Sequence, residues 1–196
     1  MFIRLLHFPV FSLGPGTRVG IWLEGCSLRC PGCVSQEFWE FTDGGAFPLG
    51  DAVRMTADFF LGPQHPDGLT ISGGEPFDQP EALLEFLRRL MGSGVEDILI
   101  YSGYSARVLT ARHPDLPELA SALVDGPFEA GNRTDSAWKG SDNQSLTLWN
   151  RKFTPRYEDW MRTKNRRLQR VRSGNSCFLV GIPRQEDVGR LKNSCL

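Results

Sequence analysis

The chain has 196 residues, 22 lysine and arginine against 23 aspartate and glutamate, and 40% of its residues are hydrophobic. This length and composition predict one globular domain, and they exclude a disordered chain or a strongly basic protein that coats nucleic acid. No stretch approaches the roughly 18 apolar residues of a membrane span, and the N-terminal residues lack the small-residue cleavage site of a signal peptide. The sequence therefore predicts a soluble, cytoplasmic protein.

Strands and helices are predicted to alternate from residue 18 onward. Strands are predicted at residues 18–23, 69–72, 97–101 and 119–124, and helices near residues 49–60 and 106–112. Between them, Asp78 and Glu81 have the spacing of a capping box, and apolar residues follow at helical spacing at Leu83, Phe86, Leu87 and Leu90. Gly92 and Gly94 are expected to end this helix.

This alternation predicts parallel β/α units, whose active sites lie at the carboxyl ends of the strands. After residue 132 the pattern weakens, and further strands are possible at residues 146–149, 168–171 and 178–182. About 200 residues are few for a closed eight-stranded barrel. We therefore expect an α/β fold, an incomplete, open parallel (β/α) barrel of about six strands. Residues 1–150 would form its core, with residues 151–196 as a C-terminal extension that completes the fold or forms a partner or substrate site.

Three of the five cysteines, Cys26, Cys30 and Cys33, lie within eight residues, directly after the first predicted strand. A disulfide framework would spread an even number of cysteines along a small secreted chain, so this cluster indicates metal ligation. Structural zinc sites and fully ligated [4Fe-4S] clusters need four ligands, and Cys177 and Cys195 are distant in sequence. Three thiolates on a [4Fe-4S] cluster would leave one iron open for catalysis. A zinc site completed by Cys177 is the alternative.

The C-x3-C-x2-C spacing resembles the signature of the radical S-adenosylmethionine (SAM) superfamily. The resemblance implies that the three cysteines hold a [4Fe-4S] cluster whose open iron binds the amino and carboxylate groups of SAM. Reductive cleavage of SAM would then give methionine and a 5′-deoxyadenosyl radical. The segment Gly73-Gly74-Glu75-Pro76 looks like the GGEP motif of the same superfamily, although in isolation this sequence is typical of an ordinary turn.

A narrower resemblance is to the activating-protein family of anaerobic (class III) ribonucleotide reductases. It rests on Cys-Pro-Gly-Cys followed by Trp39, and then on the segments SGGEPFDQ, YSGYS, LVDGPFE and WKGSDNQ, in the order of the family. It covers roughly residues 1–150. The chain departs from the family pattern at Phe77, where leucine is usual, at Lys139, where arginine is usual, and in its longer C-terminal extension.

The resemblance implies roles for particular residues. Cys26, Cys30 and Cys33 would ligate the cluster, and SAM would be bound by Gly32, Cys33, Val34, Gly73, Gly74 and Glu75. Ser102 would contact the ribose or carboxylate of SAM, or else form a strand-end turn. Asp125 would place a carboxylate near SAM, or else cap a helix or turn. Asn143 and Gln144 are further candidates for contact with SAM or a partner.

The implied function is activation of anaerobic ribonucleoside-triphosphate reductase by formation of a glycyl radical, with flavodoxin or ferredoxin as electron donor and with no nucleic-acid or membrane partner. Two alternatives stay open: a radical SAM enzyme that modifies a peptide or small molecule, and a non-catalytic iron–sulfur or zinc module. Residues 151–172 carry nine lysine and arginine residues against Glu158 and Asp159. Such a run is typical of a solvated face, and a docking patch for an acidic partner or electron donor is the functional alternative.

Overall fold

The computed structural model describes residues 1–42 and 46–193, in which six strands form one sheet and two more form a separate hairpin. The strands of the large sheet lie side by side in chain order: β1 (Ile3–Val10), β2 (Arg18–Leu23), β3 (Gly68–Gly73), β4 (Ile98–Ser102), β5 (Ala122–Asp125) and β6 (Ser145–Leu148). The four central strands are parallel, whereas β1 and β6 run antiparallel to their neighbours at the two edges.

Helices cover one face of this sheet. They are α1 (Leu49–Leu61), α2 (Pro80–Leu90), α3 (Ala106–Arg112) and the short α4 (Leu116–Leu119). The apolar stripe of α2 packs against strand residues such as Ile71 and Ile100 in the main core, as its helical spacing predicted. Successive strand residues point to opposite faces, so Leu99 and Val124 point away from this core, toward the other face of the sheet.

The C-terminal extension covers that second face. It contains α5 (Thr154–Arg162), β7 (Leu168–Ser173), β8 (Ser176–Gly181) and α6 (Val188–Asn193). Tyr157 of α5 is fully buried against Leu99 and Val124, together with Phe153 and Trp138. The β7–β8 hairpin packs its Val171, Phe178 and Val180 against β1 and Trp22 of β2. The extension is therefore part of the folded core.

A buried ion pair fixes the amino ends of the central strands. The guanidinium of Arg18 lies 2.8 Å from the carboxylate of Asp97, and both side chains are at most 1% exposed. Arg18 also donates to the hydroxyl of Thr70 and to the carbonyl of Leu69, and the Tyr157 hydroxyl donates to Asp97 at 2.8 Å. A buried charge is tolerated only when it is paired and hydrogen-bonded, as here. Through Tyr157, the ion pair links α5 to the amino ends of the central strands.

The fold prediction is confirmed at the level of a mixed α/β protein with a six-stranded, mostly parallel sheet, an arrangement consistent with an incomplete barrel. It was incomplete at the edges, because β1 was not predicted and β6 is antiparallel. Pro9 weakens the strand signal of β1, and an edge strand tolerates a proline because one side of it is unpaired. The candidates at residues 168–171 and 178–182 form the separate hairpin.

The predicted capping box is wrong. Helix α2 begins after Gln79 without a side-chain cap, and the carboxylate of Asp78 is bound instead by the backbone and hydroxyl of Ser27, 51 residues earlier. None of the helices in the described residues is long and apolar enough to cross a membrane.

Candidate active site

A cavity of about 180 Å³ lies at the carboxyl ends of the parallel strands, where the fold prediction placed the active site. The ends of β3, β4 and β5 contribute Gly73, Ser102 and Gly126 to its wall, and the loop after β2 contributes all three clustered cysteines. The structure thus brings together most of the candidate residues: Cys26, Cys30, Gly32, Cys33, Val34, Gly73, Gly74, Glu75, Ser102 and Gln144 line this cavity.

The cysteine loop holds three free thiols at the cavity wall. Burial raises the pKa of the Cys26 thiol, while the backbone N–H groups of Arg29 and Leu28 lower it by hydrogen bonding. Burial likewise raises the pKa of Cys33, whose sulfur accepts from the backbone N–H of Ser35 at 3.4 Å. Backbone donors aimed at two of the sulfurs stabilise the thiolate forms that bind metal.

The three free thiols are ligands of the kind that an iron–sulfur cluster takes. Nowhere in residues 1–42 and 46–193 do three histidine, cysteine or acidic side chains lie close enough to hold one ion. A cubane cluster holds its thiolates farther apart than a single ion does, and it accepts N–H donors at its sulfurs. Cys177 takes part in a disulfide bond and is not available as a fourth ligand. Cys195 lies outside the described residues.

Asp78 anchors the loop between the first two cysteines. Its carboxylate accepts from the backbone N–H and the hydroxyl of Ser27, and it also accepts from the hydroxyl of Tyr104 at 3.1 Å. The hydroxyls of Ser27 and Tyr104 lie 3.0 Å apart. The loop is thereby tied to the segment after β3 and to the segment after β4, which fixes its position over the sheet.

The Gly73-Gly74 turn passes directly under the cysteine loop. The N–H of Gly74 donates to the carbonyl of Leu23, and that of Glu75 donates to the carbonyl of Gly25 at 2.7 Å. Gly73 has a φ of +112°, which favours glycine, and a Cβ on Gly74 would lie 2.1 Å from the Gly25 carbonyl oxygen. Glycine is therefore required for this close approach of the two chain segments.

The carboxylate of Glu75 connects two strand ends. It is 2% exposed and accepts from the Ser102 hydroxyl and from the backbone N–H of Gly103, both at 2.7 Å, and from the backbone N–H of Phe77. Burial raises the pKa of Glu75 to about 7, against the opposing effect of these three donors. Glu75 thus combines a structural role with a position in the cavity wall.

The Ser102 and Asp125 side chains are occupied by contacts within the chain. The Ser102 hydroxyl donates to Glu75 and accepts from the backbone N–H of Tyr104. Asp125 accepts from the N–H of Ala106 at the start of α3 and from the hydroxyl of Ser145 on β6. These contacts hold both side chains at the strand ends, and Ser102 also lines the cavity.

Asn143 and Gln144 hold the loop that follows β5. Asn143 donates to the carbonyl of Pro127, and Gln144 donates to the carbonyl of Gly126 while its own oxygen accepts from the N–H of Gly140. Gln144 nevertheless lines the cavity, whereas Asn143 is exposed. Their amides therefore shape the cavity wall through the backbone of this loop.

Sequence reasoning did not identify which residues of the C-terminal extension line the cavity. Apolar residues from β8 onward line the same cavity as the cysteine loop, namely Leu179, Gly181, Ile182, Pro183 and Val188. No local motif marks them, since only tertiary packing brings them to the site. Trp39 had been noted as part of a motif, and it also lines the cavity. Its indole N–H is buried and finds no acceptor among the described residues.

Comparison with known proteins identifies the class of this site. The family described as "4Fe-4S single cluster domain" matches residues 12–147, a segment that includes the cysteine loop, the central strands and the Gly-Gly turn. Together with the three free thiols at the cavity wall, this match defines a 4Fe-4S cluster protein built on an open, mostly parallel sheet.

Curated relatives narrow the class. The chain is 31% identical over 144 residues to the anaerobic ribonucleoside-triphosphate reductase-activating protein of Salmonella typhimurium, which covers 70% of this chain and 93% of the relative. Identity to the protein of the same name is 30% in Escherichia coli K12, with the same coverage, and 26% in phage T4, over 69% of this chain and 86% of the relative. The chain belongs to this family of activating enzymes.

Proposed function

We propose that the chain activates an anaerobic ribonucleoside-triphosphate reductase by forming a glycyl radical on it, with SAM as the source of the radical. The observation that carries this proposal is the meeting of two elements in one cavity. The loop with three free thiols faces the cavity beside the Gly-Gly turn, and both lie at the carboxyl ends of parallel strands. The name shared by the curated relatives supports the choice of partner.

In this proposal Cys26, Cys30 and Cys33 would hold a [4Fe-4S] cluster. Once reduced by the electron donor, the cluster would supply the electron for cleavage of SAM to methionine and a 5′-deoxyadenosyl radical, and this radical would take a hydrogen atom from the glycine of the reductase. The chain's own residues would orient the cluster and SAM and would shield the radical from water. The N–H groups of Leu28, Arg29 and Ser35 stabilise the thiolates, and the Asp78 carboxylate holds the loop in place.

The Gly-Gly turn and its neighbours form the SAM site of the proposal. Gly73, Gly74 and Glu75 line the same cavity as Gly32 and Val34, so that a ligand bound there could contact the backbone of both segments. Glu75 orders the turn through Ser102 and Gly103, and Asp125 supports the same edge by capping α3.

Residues 1–150 would constitute the radical SAM core, and residues 151–196 would complete the fold and one wall of the site. The electron would come from flavodoxin or ferredoxin, and the reaction would take place in the cytoplasm. The apolar wall formed by Leu179, Ile182 and Pro183 is suited to excluding water from a reactive radical.

Substitution of the cysteines tests the cluster assignment. After anaerobic reconstitution, Cys30→Ala should lose the cluster and reductive SAM cleavage, whereas Cys177→Ala and Cys195→Ala should keep both. Iron and sulfide analysis, the visible spectrum and 5′-deoxyadenosine formation report these outcomes. SAM cleavage by Cys30→Ala, or loss of iron in Cys177→Ala, would contradict the three-cysteine site.

Radical transfer is tested with the reductase itself. The reduced, cluster-loaded enzyme should cleave SAM slowly alone, and should produce a glycyl radical on the reductase that electron paramagnetic resonance detects. A reductase variant with alanine in place of the radical glycine is the control. Stoichiometric turnover of a small metabolite or short peptide without a protein partner would show instead that the chain modifies small substrates.

A further inference from the structure

Two segments that lie far apart in the sequence line the cavity together with the cysteine loop. The loop between β5 and β6 contributes Gly126, Phe128, Gly140 and Gln144, and the C-terminal extension contributes Leu179, Gly181, Ile182, Pro183 and Val188. We call them the β5–β6 wall and the C-terminal wall. Residues 12–147, which match the cluster family, include the first of these walls and not the second. The shape of the cavity therefore depends on the contacts that join a family element to a part of the chain beyond it.

The side chain of Arg166 joins the two walls. This residue lies between α5 and β7 and is partly buried. One terminal nitrogen of its guanidinium donates to the carbonyl of Ile182 at 3.1 Å and, more weakly, to that of Lys139 at 3.4 Å. The other terminal nitrogen donates to the carbonyl of Thr134 at 2.9 Å. Ile182 belongs to the C-terminal wall and Lys139 directly precedes Gly140 of the β5–β6 wall, so a single side chain connects both.

The backbone next to Arg166 is packed closely against the C-terminal wall. Leu168 pairs with Gly181 at the end of the β7–β8 ladder. Gly181 has a φ of +124°, which favours glycine, and a Cβ on this residue would lie 2.5 Å from the carbonyl oxygen of Arg167. The two segments can approach this closely only because glycine stands at position 181. The guanidinium of Arg166 therefore reaches the β5–β6 wall from backbone that is fixed to the C-terminal wall.

The β5–β6 wall is itself held together by hydrogen bonds. The Lys139 ammonium donates to the carbonyls of Asp142 and Gln144, and it lies 2.8 Å from the Asp142 carboxylate. The hydroxyl of Thr134 donates to the same carboxylate at 3.3 Å, and the Gln144 side chain accepts from the N–H of Gly140. The two carbonyls of this wall that accept from the guanidinium therefore belong to one bonded unit, which includes two residues of the cavity lining.

Another contact between the same parts of the chain is weaker. Arg133 lies 3.6 Å from the carboxylate of Glu186, and the two side chains are 81% and 56% exposed. Ion pairs as exposed as this one contribute little to stability. The planar guanidinium of Arg166, by contrast, is partly buried and presents its donors in fixed directions, so that it reaches carbonyls of separate segments at once. Arg166 is therefore the stronger connection between the two walls.

We propose that Arg166 is a positioning residue for SAM, which holds the C-terminal wall against the β5–β6 wall so that the cavity is formed before the ligand enters. This inference rests on the proposed function and adds a residue that lies beyond the segment matching the family. Without the guanidinium, the two walls would have to be ordered when SAM binds, and the cost of this ordering would weaken binding. The cysteine loop and the Gly-Gly turn would keep their places, because the hydrogen bonds of Arg166 go to other segments.

Substitution of Arg166 tests the proposal. The cluster-loaded variants Arg166→Ala and Arg166→Lys are compared with the matched control Arg167→Ala, which removes the exposed neighbouring arginine. The Kd for SAM should rise at least about tenfold in Arg166→Ala and by less than about twofold in the control. Arg166→Lys should lie between them, because its ammonium reaches fewer carbonyls than the planar guanidinium. The rate of SAM cleavage at saturating SAM should change less than about threefold in all three, since ligand binding is weakened and the chemical step is not.

Hydrogen exchange separates a local effect on the walls from a general loss of stability. In cluster-loaded Arg166→Ala without SAM, the backbone amides of residues 134–144 and 179–183 should exchange faster than in the wild type. The amides of β2 to β5 should exchange at the rate of the wild type, and the iron content should be unchanged. Arg167→Ala should match the wild type throughout.

Equal affinity of Arg166→Ala and Arg167→Ala for SAM would overturn the proposal. Loss of iron or faster exchange throughout the sheet in Arg166→Ala would assign the residue a general role in folding and would also overturn it. If Arg166→Ala does not fold, unchanged SAM affinity and unchanged exchange in Arg166→Lys have the same meaning. A wild type that binds SAM with this dependence on Arg166, but forms no glycyl radical on the reductase, would support the positioning role and reject the partner in the proposed function.

Discussion

Glu75 illustrates how one side chain sets both the shape and the pH response of the site. Its carboxylate is buried where two parallel strands end and is held by three donors, yet burial raises its pKa to about 7. In the unfolded chain a glutamate titrates near its usual pKa of about 4.3. The folded protein therefore binds a proton between these two values that the unfolded chain does not bind.

We expect the stability of the iron-free protein to depend on this proton. As pH rises from about 4.5 to 7, the free energy of unfolding should fall through the Glu75 contribution, by up to about 3 kcal/mol. Glu75→Gln cannot titrate and should lack this decline. Urea unfolding of both proteins across the range measures the difference, with the exposed Glu81→Gln as control. Parallel curves for wild type and Glu75→Gln would show that burial does not raise this pKa.

Asp78 is the second residue whose role can be tested by itself. Asp78→Ala removes the acceptor of the Ser27 N–H and the carboxylate that the Ser27 and Tyr104 hydroxyls share, so the cysteine loop loses one of its links to the sheet edge. We expect lower iron content after anaerobic reconstitution and faster iron loss to a chelator. The neighbouring variant Glu81→Ala removes an exposed carboxylate and should behave like the wild type. Normal cluster retention in Asp78→Ala would mean that the loop needs no such anchor.

Residue spacing alone could not reveal this role. Asp78 and Glu81 match a capping box, which is a local pattern, but the donors that reach Asp78 come from Ser27 and Tyr104. Tertiary contacts outcompete a local cap when they offer a charged acceptor several donors. The cysteine triplet was easier to interpret, because its unusual spacing carries the chemistry within eight residues.

Among the elements, the central strands were predicted clearly, the edge strand β6 only as a candidate at residues 146–149, and the edge strand β1 not at all. Strands β2 to β5 are short apolar runs followed by glycine or polar residues, which is typical of buried parallel strands. Strand β6 has an intermediate burial pattern and β1 contains a proline, so neither carries a clear signal. Helix α5 is too short and too polar to stand out, although its Tyr157 is fully buried.

The Asp97 carboxylate should be essential to the junction between α5 and the sheet. Asp97→Ala leaves the buried Arg18 guanidinium uncompensated and removes the acceptor of Tyr157. We expect the free energy of unfolding of the iron-free protein to fall by about 3–5 kcal/mol. Asp115→Ala, which removes an exposed pair with Arg88, should cost no more than about 1 kcal/mol in the same urea titration. Similar losses for the two variants would contradict a special role for the buried pair.

At the scale of the whole molecule, the C-terminal extension and the large sheet pack together in common hydrophobic clusters. Residues 12–147 match the cluster family, whereas Phe153, Tyr157, Val171 and Phe178 lie beyond that segment and pack on its strands. A chain that ends at residue 150 would expose Trp22, Leu99 and Val124. The sequence offered residues 151–196 as a possible substrate or partner site, but it could not show which of them line the cavity, because that wall arises only from this packing.

Removal of the extension should therefore abolish cooperative folding. We expect the full iron-free chain to unfold in one transition monitored by circular dichroism, and residues 1–150 alone to show no cooperative transition and to bind a dye for exposed apolar surface. A sharp transition of the shortened chain at the melting temperature of the full chain would show that the extension is an independent appendage.

The anchoring of the cysteine loop also sets an order of events during biosynthesis. The three cysteines are synthesised early. The contact partners of Ser27 follow much later, because Asp78 lies 51 residues and Tyr104 lies 77 residues further along the chain. The wall near Leu179 is synthesised later still. The cysteine thiols are consequently synthesised before the residues that hold the cysteine loop in place. A cellular assembly factor that delivers iron and sulfide would meet the prepared loop only after release of the core, and its access would narrow once the last hairpin has docked.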